Sequence, residues 1–152
     1  MFQRNALLWL RQWRVKSNRK PLVIRGARQV GKTSLVKAFS EEFDLFLSFN
    51  LDVAEDLALF SKELPIKELY NILLATRSKV KIDGSVLIFI DEIQNSPIAI
   101  KMLRYFYEEL PDIYVIAAGS LLESMLQINK QVSFPVGRVE YMALRPCSFD
   151  EF

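Results

Sequence analysis

Eight consecutive residues constrain this chain more than any others: Gly26-Ala27-Arg28-Gln29-Val30-Gly31-Lys32-Thr33. They fit the spacing G-x-x-x-x-G-K-[ST] in full. A short apolar run, Leu22-Val23-Ile24, leads into them, and Leu35, Val36, Phe39 and Phe43 follow at helical spacing. A buried strand that meets a glycine turn and then a helix is the context this spacing requires. The chemistry explains the residue types. Wrapping a polyphosphate in backbone N–H groups needs glycine, which lets the chain approach closely. A helix opening directly from the loop offers its N-terminus to an anion. In this P-loop reading, Lys32 reaches the β- and γ-phosphates and the Thr33 hydroxyl is a ligand for Mg²⁺. The phosphate-binding set is Gly26, Ala27, Arg28, Gln29, Val30, Gly31, Lys32, Thr33 and Ser34.

A second motif completes the chemistry. Val86-Leu87-Ile88-Phe89-Ile90 is apolar at every position and ends in Asp91-Glu92. Such a run suits a parallel sheet covered on both faces, and strand ends in these sheets point at the ligand crevice. Asp91 fits the Walker-B role of holding Mg²⁺, which keeps part of its water shell. Glu92 then fits the group that activates the attacking water.

The rest of the chain alternates strands and helices. Helical spacing covers residues 2–16, with Phe2, Ala6, Leu10 and Trp13 on one face. Residues 33–43 and a region over 53–80, interrupted near Pro65, also read as helical. Ser96-Pro97 reads as a helix start, with serine as N-cap and proline at the first helical position. Leu103, Phe106, Tyr107 and Leu110 form the expected buried stripe of that helix. Further strands fall at 45–51, 114–118 and 139–144, the last a candidate for the sheet edge. Residues 121–127 read as helix and 129–138 as loop. This pattern means an α/β fold with a mostly parallel sheet.

Composition narrows the chemistry. Histidine is absent and Cys147 is the only cysteine. That excludes disulfide frameworks, zinc knuckles and His-dependent triads. Catalysis rests on carboxylates, Lys, Arg, hydroxyls and a hard metal ion. No apolar stretch approaches the ~20 residues of a membrane helix, and arginines break the N-terminal apolar run, so a cytoplasmic chain is expected. Net charge is only +2, yet ten basic residues precede the first acid, Glu41: Arg4, Arg11, Arg14, Lys16, Arg19, Lys20, Arg25, Arg28, Lys32 and Lys37. A positive pole for phosphates or nucleic acid is one reading. A solvated helix face plus one phosphate site is the preferred one.

Further candidates lie nearby. Ser120 ends the fourth strand and is either a sensor of the γ-phosphate or a helix N-cap. Arg138 is either an arginine finger for a neighbouring subunit or a surface residue paired with Glu140. Arg28 is a candidate phosphate or partner contact, and Gln94 a candidate for positioning water. Arg4 and Asn5 are candidates for contacting adenine. Asn129-Lys130-Gln131-Val132 lacks the final Asp of a guanine reader, so ATP is preferred to GTP.

These segments occur together and in order: residues 25–33, Ile90-Asp91-Glu92-Ile93-Gln94, Ala118-Gly119-Ser120, Val136-Gly137-Arg138, and Leu144-Arg145-Pro146-Cys147-Ser148-Phe149-Asp150-Glu151-Phe152. From Arg4 to Phe152 the chain resembles the prokaryotic AAA-superfamily ATPases with a C-terminal, restriction-endonuclease-like domain. The resemblance implies a three-layer P-loop NTPase fold of the additional-strand type. Its five-stranded, mostly parallel sheet, flanked by helices, would run in the order five-one-four-three-two. It implies ATP at residues 26–33, Mg²⁺ at Thr33 and Asp91, water activation by Glu92 and a sensor role for Ser120. Residues 1–20 are expected to form a basic amphipathic helix and 21–152 the ATPase domain. The C-terminal domain and the small helical lid of such proteins are expected to be missing. Three functions are carried forward: an Mg²⁺-dependent ATPase, a nucleotide switch with little turnover, and a nucleic-acid-associated ATPase. The C-terminal domain of a longer protein and a second copy of the chain are the partners considered, and no membrane contact is expected.

Overall fold

A computed structural model describes residues 2–26, 31–119 and 137–143, with side chains from Asn5 onward. The elements in order are α1 (Phe2–Arg14), β1 (Leu22–Arg25), α2 (Lys32–Ser40), β2 (Leu45–Asn50), α3 (Ala54–Ala58), α4 (Ile66–Thr76), β3 (Val86–Asp91), α5 (Pro97–Glu109), β4 (Tyr114–Gly119) and β5 (Glu140–Ala143), with a 3₁₀ turn at Ile93–Asn95. The sheet order is β2-β3-β4-β1-β5, the expected order read from the other side. All of its pairings are parallel.

Strand alternation explains why every position of β3 is apolar. Side chains point to opposite faces in turn. Val23, Leu47, Phe49, Ile88, Ile90, Val115 and Ala117 face one core with residues of α4 and α5. Leu22, Ile24, Leu87, Phe89, Ile116 and Ala118 face a second core with α1 and α2. The sheet is therefore the middle of three layers, buried on both sides.

In α1, Ala6, Leu10 and Trp13 are buried as their spacing requires. The Trp13 indole N–H donates to the Lys20 carbonyl at 2.8 Å, and its ring meets Phe39 and Tyr114 edge-on or tilted. Ser96 caps α5 by accepting from the Ala99 N–H at 3.0 Å, with Pro97 in the first turn. Its hydroxyl also donates to the Phe60 carbonyl.

Several expectations shift. The helical region over 53–80 resolves into α3 and α4, and residues beyond Thr76 leave the helix. Ser78 takes a left-handed conformation, φ 56. Ser78 N–H then donates to Ala75 O and Lys79 N–H to Leu74 O, a glycine-type helix stop built on serine. Tyr107 and Leu110 are half-buried rather than core, because α5 ends at Glu109. Ala99, Ile100 and Met102 fill the stripe instead, beside Leu103 and Phe106. The expected helix at 121–127 and most of the 129–138 loop lie outside the described residues.

At the β2 edge, two outward backbone groups are covered by side chains. The Arg77 guanidinium donates to Ser48 O, at 2.9 Å from Nη2, and Asp56 Oδ2 accepts from the Asn50 N–H at 2.9 Å. Arg77 and Asp56 also join each other at 2.9 Å, and the guanidinium lies over the Phe49 ring, 4.4 Å from its centroid. Among the described residues no helix is long and apolar enough to cross a membrane.

Candidate active site

The carboxyl ends of β1, β3 and β4 form one rim, and the two sequence motifs meet there. Gly31 caps α2 at φ 84, a conformation that glycine adopts without a Cβ penalty. Lys32 follows and is 8% exposed. Its ammonium donates to the Gly26 carbonyl at 3.0 Å, so it closes the loop on itself. Ala27, Arg28, Gln29 and Val30 lie outside the described residues, as do Ser120 and Cys147. Ser34 is exposed in the first turn of α2.

Thr33 Oγ1 donates to Asp91 Oδ2 at 3.1 Å. Asp91 Oδ1 accepts from the Glu92 N–H at 2.9 Å. Burial pushes the Asp91 carboxyl above its ordinary range. The Glu92 N–H and the Thr33 hydroxyl oppose that rise, the Glu92 charge adds to it, and the Lys32 charge opposes it. A desolvated carboxylate beside a hydroxyl is a hard-oxygen donor pair of the kind a small divalent cation takes. Among the described residues no group of three or more His, Cys, Asp or Glu could hold a metal. A cation here would draw its other ligands from water and phosphate, which is how Mg²⁺ is commonly bound.

Glu92 is 7% exposed and takes a left-handed conformation, φ 53 and ψ 47. That is uncommon for a residue with a side chain, and such strain gathers at functional sites. Gln94 in the 3₁₀ turn is 6% exposed. Its Nε2 donates to Glu92 Oε1 at 3.4 Å. Neither the backbone conformation of Glu92 nor the burial of Gln94 has a sequence signal, since glutamate and glutamine mark no turn type.

Arg138 lies elsewhere. Its Nε contacts Glu108 Oε2 at 3.1 Å, so the expected structural partner, Glu140, is corrected to Glu108. Glu140 instead meets the Lys16 ammonium and the Lys20 N–H. Arg138 precedes the start of β5, and Glu140 pairs with Leu22 at the start of β1. The phosphate loop leaves the other end of β1. Arg138 and Lys32 are thus separated by the length of a four-residue strand, roughly 13 Å.

The acid-free N-terminal segment is largely engaged by the fold. Arg11 pairs with Glu42 at 2.7 Å. Arg14 donates to Glu42 O and stacks on Phe43 at 4.1 Å. Arg19 donates to Pro111 O and stacks on Tyr114 at 3.7 Å. These contacts fix α1 and the following loop to the sheet and to α2.

Comparisons with known proteins bear on the fold and the family. A family model described as an AAA domain matches residues 18–152. No curated protein matches the sequence. Among solved structures, the chain is similar to the Walker-type ATPase PABY2304 of Pyrococcus abyssi, with a TM-score of 0.58 and 20% identity over 93% of this chain and 53% of that one. It is similar to Cdc6p of Pyrobaculum aerophilum, with a TM-score of 0.58 and 14% identity over 98% and 46%. It is also similar to the Aeropyrum pernix ORC1 protein, solved in complex with DNA, with a TM-score of 0.55 and 14% identity over 99% and 46%. The chain spans about half the length of these three proteins. At these identities the likeness speaks for the fold, a parallel five-stranded sheet with helices on both faces. Matched over 135 of its 152 residues (18 to 152 inclusive), the chain belongs to the AAA domain family of P-loop ATPase fold.

Proposed function

We propose that this domain binds ATP with Mg²⁺ at the rim formed by residues 26–34, Asp91 and Glu92, and hydrolyses it to ADP and phosphate. The observation that carries the proposal is the 3.1 Å hydrogen bond from Thr33 to Asp91, with the buried Glu92 carboxylate next in the chain. In this reading Lys32 exchanges the Gly26 carbonyl for the β- and γ-phosphates, and Thr33 and Asp91 hold Mg²⁺. When bound, Mg²⁺ neutralises charge that spreads over the phosphate oxygens. Glu92 takes a proton from a water whose oxygen bonds to the γ-phosphorus, while the bond from that phosphorus to the ADP oxygen breaks. Loop N–H groups and the Lys32 ammonium stabilise the negative charge that develops in the transition state. The reading extends to a cytoplasmic ATPase unit of a longer protein with a C-terminal, restriction-endonuclease-like domain, on the strength of the resemblance alone.

Ser120, directly after β4, is proposed as the γ-phosphate sensor, and Arg138 as a finger that serves a second copy. The distance between Arg138 and Lys32 supports action across an interface rather than within one chain. The same distance favours a second reading, in which the solitary domain is a nucleotide switch that binds ATP and turns it over slowly.

Two measurements test the proposal. Mg·ATP at ~100 times its Kd should stabilise the fold by ~2.7 kcal/mol, and Lys32→Ala should abolish that gain. Steady-state release of phosphate should fall at least ~100-fold in Glu92→Gln. No thermal response in the wild type would overturn the nucleotide site. A response with a single stoichiometric burst would favour the switch.

A further inference from the structure

We propose that Gln94 is the positioning residue for the Glu92 carboxylate, an inference that rests on the hydrolytic reading of Glu92. Three observations carry it. The left-handed backbone at Glu92 leads straight into the 3₁₀ turn that carries Gln94. The Gln94 side chain is almost wholly buried, and its Nε2 donates to Glu92 Oε1 at 3.4 Å. Its other polar atom, Oε1, is buried with no hydrogen-bond partner among the described residues.

The orientation of the amide follows from chemistry. An ionised carboxylate only accepts hydrogen bonds. Turning the amide over would set its oxygen against the Glu92 oxygen, acceptor against acceptor. The NH₂ group therefore faces Glu92, and Oε1 is left in the interior.

That arrangement is a poor choice for stability alone. A buried acceptor without a donor is unfavourable, and an apolar side chain of similar shape would avoid it. Methionine has nearly the length and volume of glutamine and packs adaptably. Packing at this position therefore has no need of an amide, whereas the carboxylate beside it does. Glu92 is the group whose oxygen must face the attacking water, and a misplacement of ~1 Å in such a group can lower a rate by ~100-fold. Gln94 acts through Glu92 and touches no substrate.

The experiment compares Gln94→Met, Glu92→Gln and the double variant in the full chain with Mg·ATP. If Gln94 positions the base, Gln94→Met lowers kcat by about 10- to 100-fold. KM stays within about twofold, because phosphate binding is made elsewhere. The nucleotide-free variant melts close to the wild-type temperature, since one unpartnered buried acceptor is removed while the Glu92 carboxylate loses a donor. Adding Gln94→Met to Glu92→Gln causes no further loss of rate, as expected for residues that act as one unit. A Gln94→Met protein with wild-type kcat overturns the inference. So does one whose loss is confined to KM or to stability.

A second arm needs no turnover and separates this inference from the hydrolytic reading. The side-chain ¹⁵N–H₂ resonances of Gln94 are followed by NMR in nucleotide-free wild type and in Glu92→Gly. Glycine accepts the left-handed backbone and removes the carboxylate. Displaced amide resonances and faster hydrogen exchange are expected. Unchanged resonances would overturn the contact, whatever the protein does with ATP.

Discussion

Thr33 and Asp91 lie 58 positions apart in sequence and meet through a single hydrogen bond of 3.1 Å. That bond ties the first turn of α2 to the last residue of β3. It joins two elements whose ends must stay in register for a phosphate and a cation to be held together.

Burial of the Asp91 carboxyl sets a pH dependence that the Thr33 contact only moderates. Burial raises the Asp91 carboxyl above its ordinary 3.8, so the folded chain holds that proton more tightly than the unfolded chain does. Stability from this group is therefore lost as pH rises from the unfolded value through the folded one. At neutral pH the ionised carboxylate is a net burden on the empty protein. Asp91→Asn should melt at a higher temperature than wild type at pH 7 without nucleotide. The gap should close below the unfolded pKa, and Mg·ATP should no longer stabilise the variant. Melting curves across a pH series check this; a lower melting temperature at pH 7 would refute it.

Ser78 offers a separate stability test away from the site. Its φ of 56 closes α4, and a left-handed residue with a Cβ costs roughly 1–2 kcal/mol. Glycine's greater freedom in the unfolded chain offsets part of the gain, roughly 0.5–1 kcal/mol. Ser78→Gly should stabilise the domain by about 0.5–1 kcal/mol. Urea unfolding would show this as a higher midpoint at unchanged slope.

Asp56 accepts from both the Asn50 N–H and the Arg77 guanidinium. Asp56→Ala leaves a strand N–H and a half-buried cation without that acceptor. The expected loss is about 1–3 kcal/mol. Arg77→Ala in the same background should add less than it does alone, because the two side chains share one network. Additive losses in a double-mutant cycle would contradict the shared role.

Arg138 and Lys32 stand at opposite ends of β1, so an arginine finger at Arg138 must serve another molecule. Arg138→Ala should keep the thermal response to Mg·ATP while losing turnover. Mixed with Lys32→Ala, it should recover rate, since each intact site then meets an intact arginine. Fingers contribute roughly 10³–10⁵ in rate, so even partial complementation is measurable. A silent mixture would leave Arg138 as the surface partner of Glu108.

Much of this was legible in the residues, for identifiable reasons. Gly26, Gly31, Lys32 and Thr33 are fixed by backbone approach and by phosphate chemistry, which leave few alternatives at each position. The unbroken apolar run at 86–90 announces a strand covered on both faces, and so the three layers. The features that the sequence hides have no residue-type mark. Glu92 and Ser78 take left-handed backbones that glycine would have advertised. Glu140 lies two residues from Arg138 in sequence, yet Glu108 reaches it from the end of α5. Tyr107 continues the helical stripe on paper, but the helix stops two residues later and leaves it half-open.

The cover over β2 has a meaning beyond melting temperature. An uncovered edge strand offers its N–H and C=O groups to any extended chain nearby. Arg77 and Asp56 occupy two of those positions with side chains from the same molecule. Their loss would therefore be felt first in concentrated solution, as turbidity and strand-to-strand association between molecules that are still folded.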